Sequence, residues 1–572
     1  MNSRIPTITF NWWFVPLVCL MVGALVAGMG LREPMPADEP RFVLAARTMI
    51  ETGQWLFPYR GVELYAEKPP VFMWLQAASY LIVGDWQVAF LLPSVLAALL
   101  TLWLSGDLAR RLWGSGAIWY AVFGLFVCLQ FGLQVKRAQI DMVLVGMTTL
   151  SLWALVVYLV QKPSAWLLAL GTFAAGLGTV TKGVGFLPLL VLLPWLWVRL
   201  KSRQALPSHR GVHALAGVGG FVAGVGVWLV PMLSVVLMSS DPTLHAYARE
   251  MLFKQTGTRY VDAWHHVKPA WYYLQTMLTL WLPGVLLAPW LLPAWWRRLK
   301  RVDARYVLLL GWALIVLVFF SASPGKREVY IFPMLPALAV AAAPLLPALL
   351  RKRVVRSTLW TYMAALVLVA GGLGAWLLSA SPARLQSLVE GRGMDMVTLA
   401  QLGYWLVGFA VVALVVMIAA ARISRRPVVV ALVTVTAALW TAYGIGFMPA
   451  LSPDSSAQAL MQRVGKRIGP TAELAMLGWR EQHLLQADRP VTDFGFKQPW
   501  VEQWQQAHVW LLEAPQRRWL FLRKQAIGPC LDPSKVIDIG ASNRREWILA
   551  PGTAWIAGCD VPATWSAGVS ED

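Results

Sequence analysis

The stretch Pro70-Val71-Phe72-Met73-Trp74-Leu75-Gln76-Ala77-Ala78-Ser79-Tyr80-Leu81-Ile82-Val83-Gly84 decides how this chain is arranged. It is apolar, yet shorter than the ~20 residues a helix needs to cross a bilayer. Counted as a span, it would invert every later loop and move the basic clusters to the wrong side. Those clusters are Arg110–Arg111, Lys162, Arg199 to Arg210, Arg297 to Arg305, Arg351 to Arg356 and Arg422 to Arg426. Cytoplasmic loops collect Lys and Arg. The stretch is therefore read as a juxtamembrane or re-entrant helix on the outer face, its ends packed in protein or at the interface.

On either side of it, one apolar run leads into each basic cluster and another leads out. They predict spans near 86–109, 115–134, 141–161, 165–181, 184–199, 212–237, 271–295, 305–322, 329–349, 357–378, 402–421 and 427–447. A first span from Asn11 to Leu31 follows a short N-terminus bearing Arg4 and has no small-residue cleavage site behind it, so it is read as retained. The expected fold is thus an α-helical polytopic membrane protein of about thirteen spans over residues 1–449, with an outer loop at 32–85. The N-terminus is then cytoplasmic and everything after Pro449 lies outside, as in a bacterial inner-membrane protein.

Composition agrees. The hydrophobic fraction is 58% and the mean hydropathy +0.57, against ~45–50% apolar residues in soluble domains. The net charge of +20 sits in the loop clusters, which makes it a topology signal and argues against nucleic acid. Residues 450–572 are more polar. Strand-like runs at Glu473 to Leu477, His508 to Leu512, Trp519 to Leu522 and Lys535 to Ile539, separated by Gly528-Pro529 and Pro551-Gly552, predict a small α/β domain. It holds Cys530 and Cys559, which can pair in an oxidising compartment, although spacing alone does not establish a bond.

The topology leaves several charges outside, against the trend: Asp38, Glu39, Arg41, Glu67, Lys68, Arg137, Asp141, Lys182, Arg259, Lys326 and Arg327. An ionisable residue at the membrane is costly and is a functional candidate by default. These recur at the outer ends of different spans, so they can converge on one polar site. Asp38 lies in Met35-Pro36-Ala37-Asp38-Glu39-Pro40-Arg41-Phe42. An Asp before a Pro-initiated helix also reads as an N-cap, and local sequence leaves cap and catalysis equally open.

The stretch around Asp38-Glu39, with Gly53-Gln54-Trp55 and Glu67-Lys68-Pro69, resembles the first loop of the GT-C superfamily, in particular the bacterial aminoarabinose (lipid A) transferases and the protein O-mannosyltransferases. Further resemblances follow in family order: Arg137 with Asp141, Thr181-Lys182-Gly183, the segment from His266 to Tyr273, and Lys326 followed by Tyr330-Ile331-Phe332-Pro333. The resemblance covers roughly residues 10–350.

It implies a glycosyltransferase that takes its sugar from a polyprenyl (undecaprenyl) phosphate. Asp38 would be the catalytic base, with Asp141 as its supporting carboxylate. Lys68, Arg259 and Tyr330, with Lys326, would hold the donor phosphate, and Arg327 adds a further contact. Glu39, Arg137 and Lys182 would support the site, and Glu67 with His266 would hold a divalent metal. The chemistry is consistent: a phosphate leaving group needs cations and hydroxyls where charge develops, and an attacking hydroxyl or phosphate needs a base. The expected acceptor is lipid A or another envelope lipid or glycan. A protein acceptor is the alternative within the same chemistry. A transporter is the alternative from a different class, though it would carry charges at the bilayer midplane and matching broken spans in two repeats.

Overall fold

The computed structural model describes residues 14–201, 206–253, 267–392 and 394–562. The membrane part is helical, as its apolar runs require: without water, a spanning backbone must satisfy its own polar groups. The elements that matter below are α1 (Phe14–Val26), α2 (Glu39–Thr52), α3 (Val71–Val83), α4 (Leu92–Trp113), α5 (Ile140–Val160), α6 (Ala165–Lys182), α7 (His213–Met238), α8 (Ala304–Ala322), α9 (Met334–Ala342), α10 (Arg353–Ser379), α11 (Met396–Ile423) and α12 (Pro427–Ala442).

Among the described residues, seven helices are long and apolar enough to span a membrane, or up to nine if each of two bent pairs is one span. The thirteen apolar runs expected from the sequence include several whose helices are shorter or broken. Ser115–Phe126 and Leu129–Val135 bend by 70°, and Tyr272–Leu280 and Gly284–Lys300 by 101°, at the places where single spans were expected. The expected span at 184–199 is a 3-10 turn, Leu187–Val191, running into Leu192–Lys201. The one at 329–349 is split into α9 and Leu346–Leu349. Pro188, Pro194, Pro333, Pro336 and Pro347 stand in these segments, and each lacks the N–H that a continuing helix needs. Apolar content counts residues and does not see where the hydrogen-bond ladder breaks.

The stretch that set the topology folds as expected into a short helix, the 13-residue α3, closed by Gly84 in the left-handed region at φ 76°. Helices α4 and α5 pack side by side in the core, while α7, α10 and α11 turn rows of Val and Leu outward, as a lipid-facing surface requires. Helices α6 and α7 cross closely at glycines: a methyl group at Gly220 or Gly224 would overlap the Ala169 or Phe173 carbonyl, the small-residue contact by which membrane helices approach.

The last helical run continues from Pro427 to Ile468 and feeds directly into the α/β domain. The domain's elements are α13 (Gln458–Ile468), β3 (Glu473–Leu477), α14 (Glu481–Gln486), β4 (Val491–Asp493), α15 (Trp500–Glu513), β5 (Arg518–Arg523), β6 (Ile537–Ser542) and β7 (Arg545–Pro551). The hairpin β1 (Tyr59–Arg60) and β2 (Glu63–Leu64) belongs to the first loop. The sheet order is β4-β3-β5-β7-β6, parallel among the first three and antiparallel thereafter. The expected strand at His508 to Leu512 is instead the second half of α15. Its buried residues Gln503, Trp504, Ala507 and Leu511 recur at helical spacing, which a five-residue window misses. Cys530 and Cys559 form a disulfide, with Cα atoms 5.4 Å apart.

Candidate active site

Asp38 occupies the N-cap position of α2, but its side chain makes no cap hydrogen bond. Its Oδ2 instead accepts from Gln139 Nε2 at 3.0 Å and from the Arg327 guanidinium at 3.2 Å. The Asp38 carboxylate is thus not spent on capping α2. Burial alone would raise the Asp38 pKa. Arg327 and then Arg41, with Lys182 behind them, outweigh it and hold the carboxyl below its usual value, so it is ionised at neutral pH.

Gln139 immediately precedes α5, and Asp141 stands in that helix's first turn. Asp141 forms an ion pair with Lys182, the last residue of α6. The Lys182 ammonium also lies 5.3 Å from the centre of the Tyr330 ring. The segment between α8 and α9 supplies both Arg327 and Tyr330. Four parts of the chain thus bring Asp38, Gln139, Asp141, Lys182, Arg327 and Tyr330 into one polar group at one end of the bundle.

The other expected residues have the following surroundings. Glu39 is buried, its carboxylate accepting two hydrogen bonds from Arg32 at 2.5 and 2.8 Å and one each from the Met35 and Ala138 N–H groups at 2.9 Å. Arg32 also donates to the Lys136 carbonyl, and the Lys136 ammonium bonds the Ala24, Leu25 and Ala27 carbonyls. This lock ties the end of α1, the start of α2 and the approach to α5 together, so Glu39 supports Asp38 by fixing the backbone on either side of it.

Lys326 is 4% exposed and donates to the Lys268 and Ser323 carbonyls at 3.2 and 2.6 Å. The neighbouring Arg327, not Lys326, carries the cation that meets Asp38. Lys68 donates to the Glu67 carbonyl at 2.8 Å. Arg137 faces Tyr443 and accepts at its carbonyl from Ser94. Arg259 and His266 lie outside the described residues.

Of the expected metal pair, Glu67 is described and His266 lies outside the described residues. The Glu67 carboxylate is shared by Arg41 at 3.3 Å and Arg60 at 3.5 Å, and those guanidiniums, together with Lys68, overcome burial and lower its pKa. Among the described residues no group of three or more His, Cys, Asp or Glu could hold a metal ion. The same arginines pair with Glu481 of the α/β domain at 3.1 and 3.4 Å. Glu67 and Glu481 therefore clamp the first loop to that domain.

Sequence reasoning did not single out Arg32, Lys136, Gln139, Arg60 or Glu481. Gln139 had the clearest signal, lying between Arg137 and Asp141 in a segment already marked. Lys136 and Glu481 have partners distant in sequence, and Arg32 and Arg60 join carboxylates seven residues on, Glu39 and Glu67, to distant groups, so no local pattern displays the networks.

Residues 67–229 match the model of the dolichyl-phosphate-mannose-protein mannosyltransferase family, and residues 262–403 that of the Alg9-like mannosyltransferase family. An undecaprenyl phosphate-α-4-amino-4-deoxy-L-arabinose arabinosyl transferase of Pseudomonas fluorescens is 30% identical over 378 residues, 63% of this chain and 64% of the relative. One from Pseudomonas aeruginosa is 33% identical, with 53% of this chain and 54% of the relative covered. The chain thus matches between about half and two thirds of the length of these relatives. The crystal structure of ArnT from Cupriavidus metallidurans bound to undecaprenyl phosphate has the same fold, with a TM-score of 0.72 at 19% identity, covering 97% of this chain and 100% of that one. Six polar residues gathered at one end of a proline-broken helical bundle, capped by a mixed α/β domain, therefore stand in a chain that shares the fold of this ArnT and is similar in sequence to aminoarabinose transferases and, over parts of its length, to two mannosyltransferase families.

Proposed function

We propose that this protein transfers a sugar from an undecaprenyl phosphate, or a similar polyprenyl phosphate, to a lipid or glycan acceptor of the envelope, lipid A being the expected one. The observation that carries this reading is an ionised Asp38 held between Gln139 and Arg327, beside the Asp141–Lys182 pair. The carboxylate is free of a capping duty and can take a proton from an attacking hydroxyl or phosphate. The surrounding cations suit a departing phosphate, which carries its charge away without a general acid. Lys68, Tyr330 and Arg259 are the donor-phosphate contacts in this reading, with Arg327 in the place first given to Lys326. The names of the similar proteins support the donor class.

In the same reading the protein lies in the bacterial inner membrane with its N-terminus in the cytoplasm. The reacting end and the α/β domain of residues 450–572 face the periplasm. The Cys530–Cys559 disulfide supports that side, since disulfides persist in the periplasm and not in the cytosol. The basic clusters at Arg351 to Arg356 and Arg422 to Arg426 support it from the opposite end.

The test is Asp38→Asn in proteoliposomes. Turnover is expected to fall by ~10²–10⁴-fold, the contribution of a general base, with donor binding retained. Undiminished turnover removes Asp38 as the base. For the orientation, Ser424→Cys in a Cys19→Ala background should escape a membrane-impermeant thiol reagent added from the periplasmic side.

A further inference from the structure

Arg41 stands in the first turn of α2, three residues after Asp38 and three before Leu44. Residues at that spacing share a helix face. The face ends in the α/β domain: Leu44 is 8% exposed and packs in the apolar cluster that holds Met461, Trp479 and Trp547. One helix therefore carries the proposed base at its start and a domain contact further along, with Arg41 between them.

The Arg41 guanidinium is turned toward the domain. Its Nε donates to Glu481 Oε1 at 3.1 Å and its Nη1 to Glu67 Oε2 at 3.3 Å. Glu481 opens α14, and its side chain is only 5% exposed. Arg60 reaches the same two carboxylates, Glu481 at 3.4 Å and Glu67 at 3.5 Å. Two cations and two anions thus balance one another at the joint between the first loop and the domain. Burial works against the Arg41 charge, while Tyr65 and then Glu481, Glu67 and Asp38 favour it. Yet no ion pair joins Arg41 to Asp38 among the described residues. Both hydrogen bonds that Asp38 accepts, from Gln139 and Arg327, fall on Oδ2. Its Oδ1 accepts none among the described residues and is the oxygen left for a substrate proton.

We propose that Glu481 is a positioning residue for the reacting end: by holding the Arg41 guanidinium at the domain joint, it keeps that cation off Asp38 and leaves Oδ1 open to the attacking group. The inference rests on the reading of Asp38 as the base. Docking of the α/β domain then completes the site, beyond covering it. With Glu481 neutral, Arg41 and Arg60 share Glu67 alone, and a half-buried cation that loses its partner is unfavourable. Asp38 is the remaining carboxylate that acts on Arg41, and the third residue of a helix is the one whose side chain can reach back to the N-cap. A second guanidinium on Asp38 would occupy the free oxygen and make the carboxylate a weaker base. The charged groups that face Asp38 are Arg327, Arg41 and Lys182, with Gln139 as a neutral donor. Those that face Arg41 are Tyr65, Glu481, Glu67 and Asp38, of which only Glu481 belongs to the domain.

The experiment uses the full chain in proteoliposomes. Glu481→Gln is expected to lower kcat about tenfold or more, and to move the acidic limb of the kcat/KM profile to lower pH, because a second cation favours the ionised carboxylate. Adding Arg41→Gln to Glu481→Gln should restore part of the lost kcat, since the displaced cation is gone. A joint that is merely loosened would be made worse by the second loss. Should Glu481→Gln fail to fold, Glu481→Asp, which keeps the charge but draws it back by one methylene, carries the same readouts in smaller measure. A measurement without turnover stands beside these. In detergent, Asp38→Asn is expected to lower the unfolding temperature more in the Glu481→Gln background than in the native one, and the excess to vanish once Arg41→Gln is added. The proposal is overturned if Glu481→Gln leaves kcat and the acidic limb in place, if Arg41→Gln deepens the loss, or if the excess in unfolding temperature is absent. If Asp38→Asn proves active, the reading of Asp38 as the base fails, and the unfolding measurement still decides whether Glu481 holds Arg41 away from Asp38.

Discussion

The carboxylate of Asp38 and the guanidinium of Arg327 meet at 3.2 Å across 289 residues of chain. One follows the first span and the other the helix α8, so their meeting is a product of the bundle alone. It is also the contact that keeps the proposed base ionised, against the opposite pull of burial.

Arg327→Ala should therefore raise the Asp38 pKa. The sign is set by linkage: a carboxylate whose folded pKa is depressed is ionised, and useful as a base, down to lower pH. Without Arg327 the acidic limb of the kcat/KM profile should move upward, with activity lost first at low pH. A limb that stays in place would mean Arg327 does not tune Asp38.

The Asp141–Lys182 pair is mostly buried, with side-chain exposures of 10% and 14%. Lys182→Met removes the ion-pair partner of Asp141, leaving it the more distant Arg327, and should cost at most roughly 3–5 kcal/mol of stability. The double variant Asp141→Asn with Lys182→Met should recover much of that loss. Thermal unfolding in detergent reads both, and additive losses would show that the pair is not coupled.

Glu481 joins the α/β domain to the first loop through Arg41 and Arg60. Glu481→Gln removes the negative charge and leaves Arg60, which is 3% exposed, with Glu67 alone. Amide exchange is expected to quicken across residues 59–67 and in α14, while the sheet keeps its protection. Unchanged exchange at both places would mean other contacts suffice for docking.

His483 is 1% exposed, and burial, with Arg523, Arg480 and Arg545 nearby, pushes its pKa down to about 3. The unfolded chain binds a proton on this ring below about 6.5 and the folded one does not. The contribution is therefore fully present above that value and is lost as pH falls, at about 1.4 kcal/mol per unit. His483→Phe should flatten the pH dependence of unfolding between about 6.5 and 3; an unchanged slope would locate the acid sensitivity in other groups.

By itself the sequence determined that the chain is a helical membrane protein with an α/β appendage, because hydropathy and loop charge are local sums that every segment carries openly. It also marked Asp38, Asp141 and Lys182, since charged groups at the ends of apolar runs need a reason to be there, while Tyr330 was marked through the family resemblance. Only the tertiary structure decided which spans are continuous, because prolines such as Pro188 and Pro347 interrupt hydrogen bonding without lowering hydropathy. The partners of each charge were equally hidden. Arg327 rather than Lys326 faces Asp38, Glu67 answers to two arginines, and Arg523 lies buried beside Trp547. Pairing depends on distances of a few ångströms between residues far apart in the chain, and no spacing along the sequence encodes such a distance until the helices and the sheet have packed.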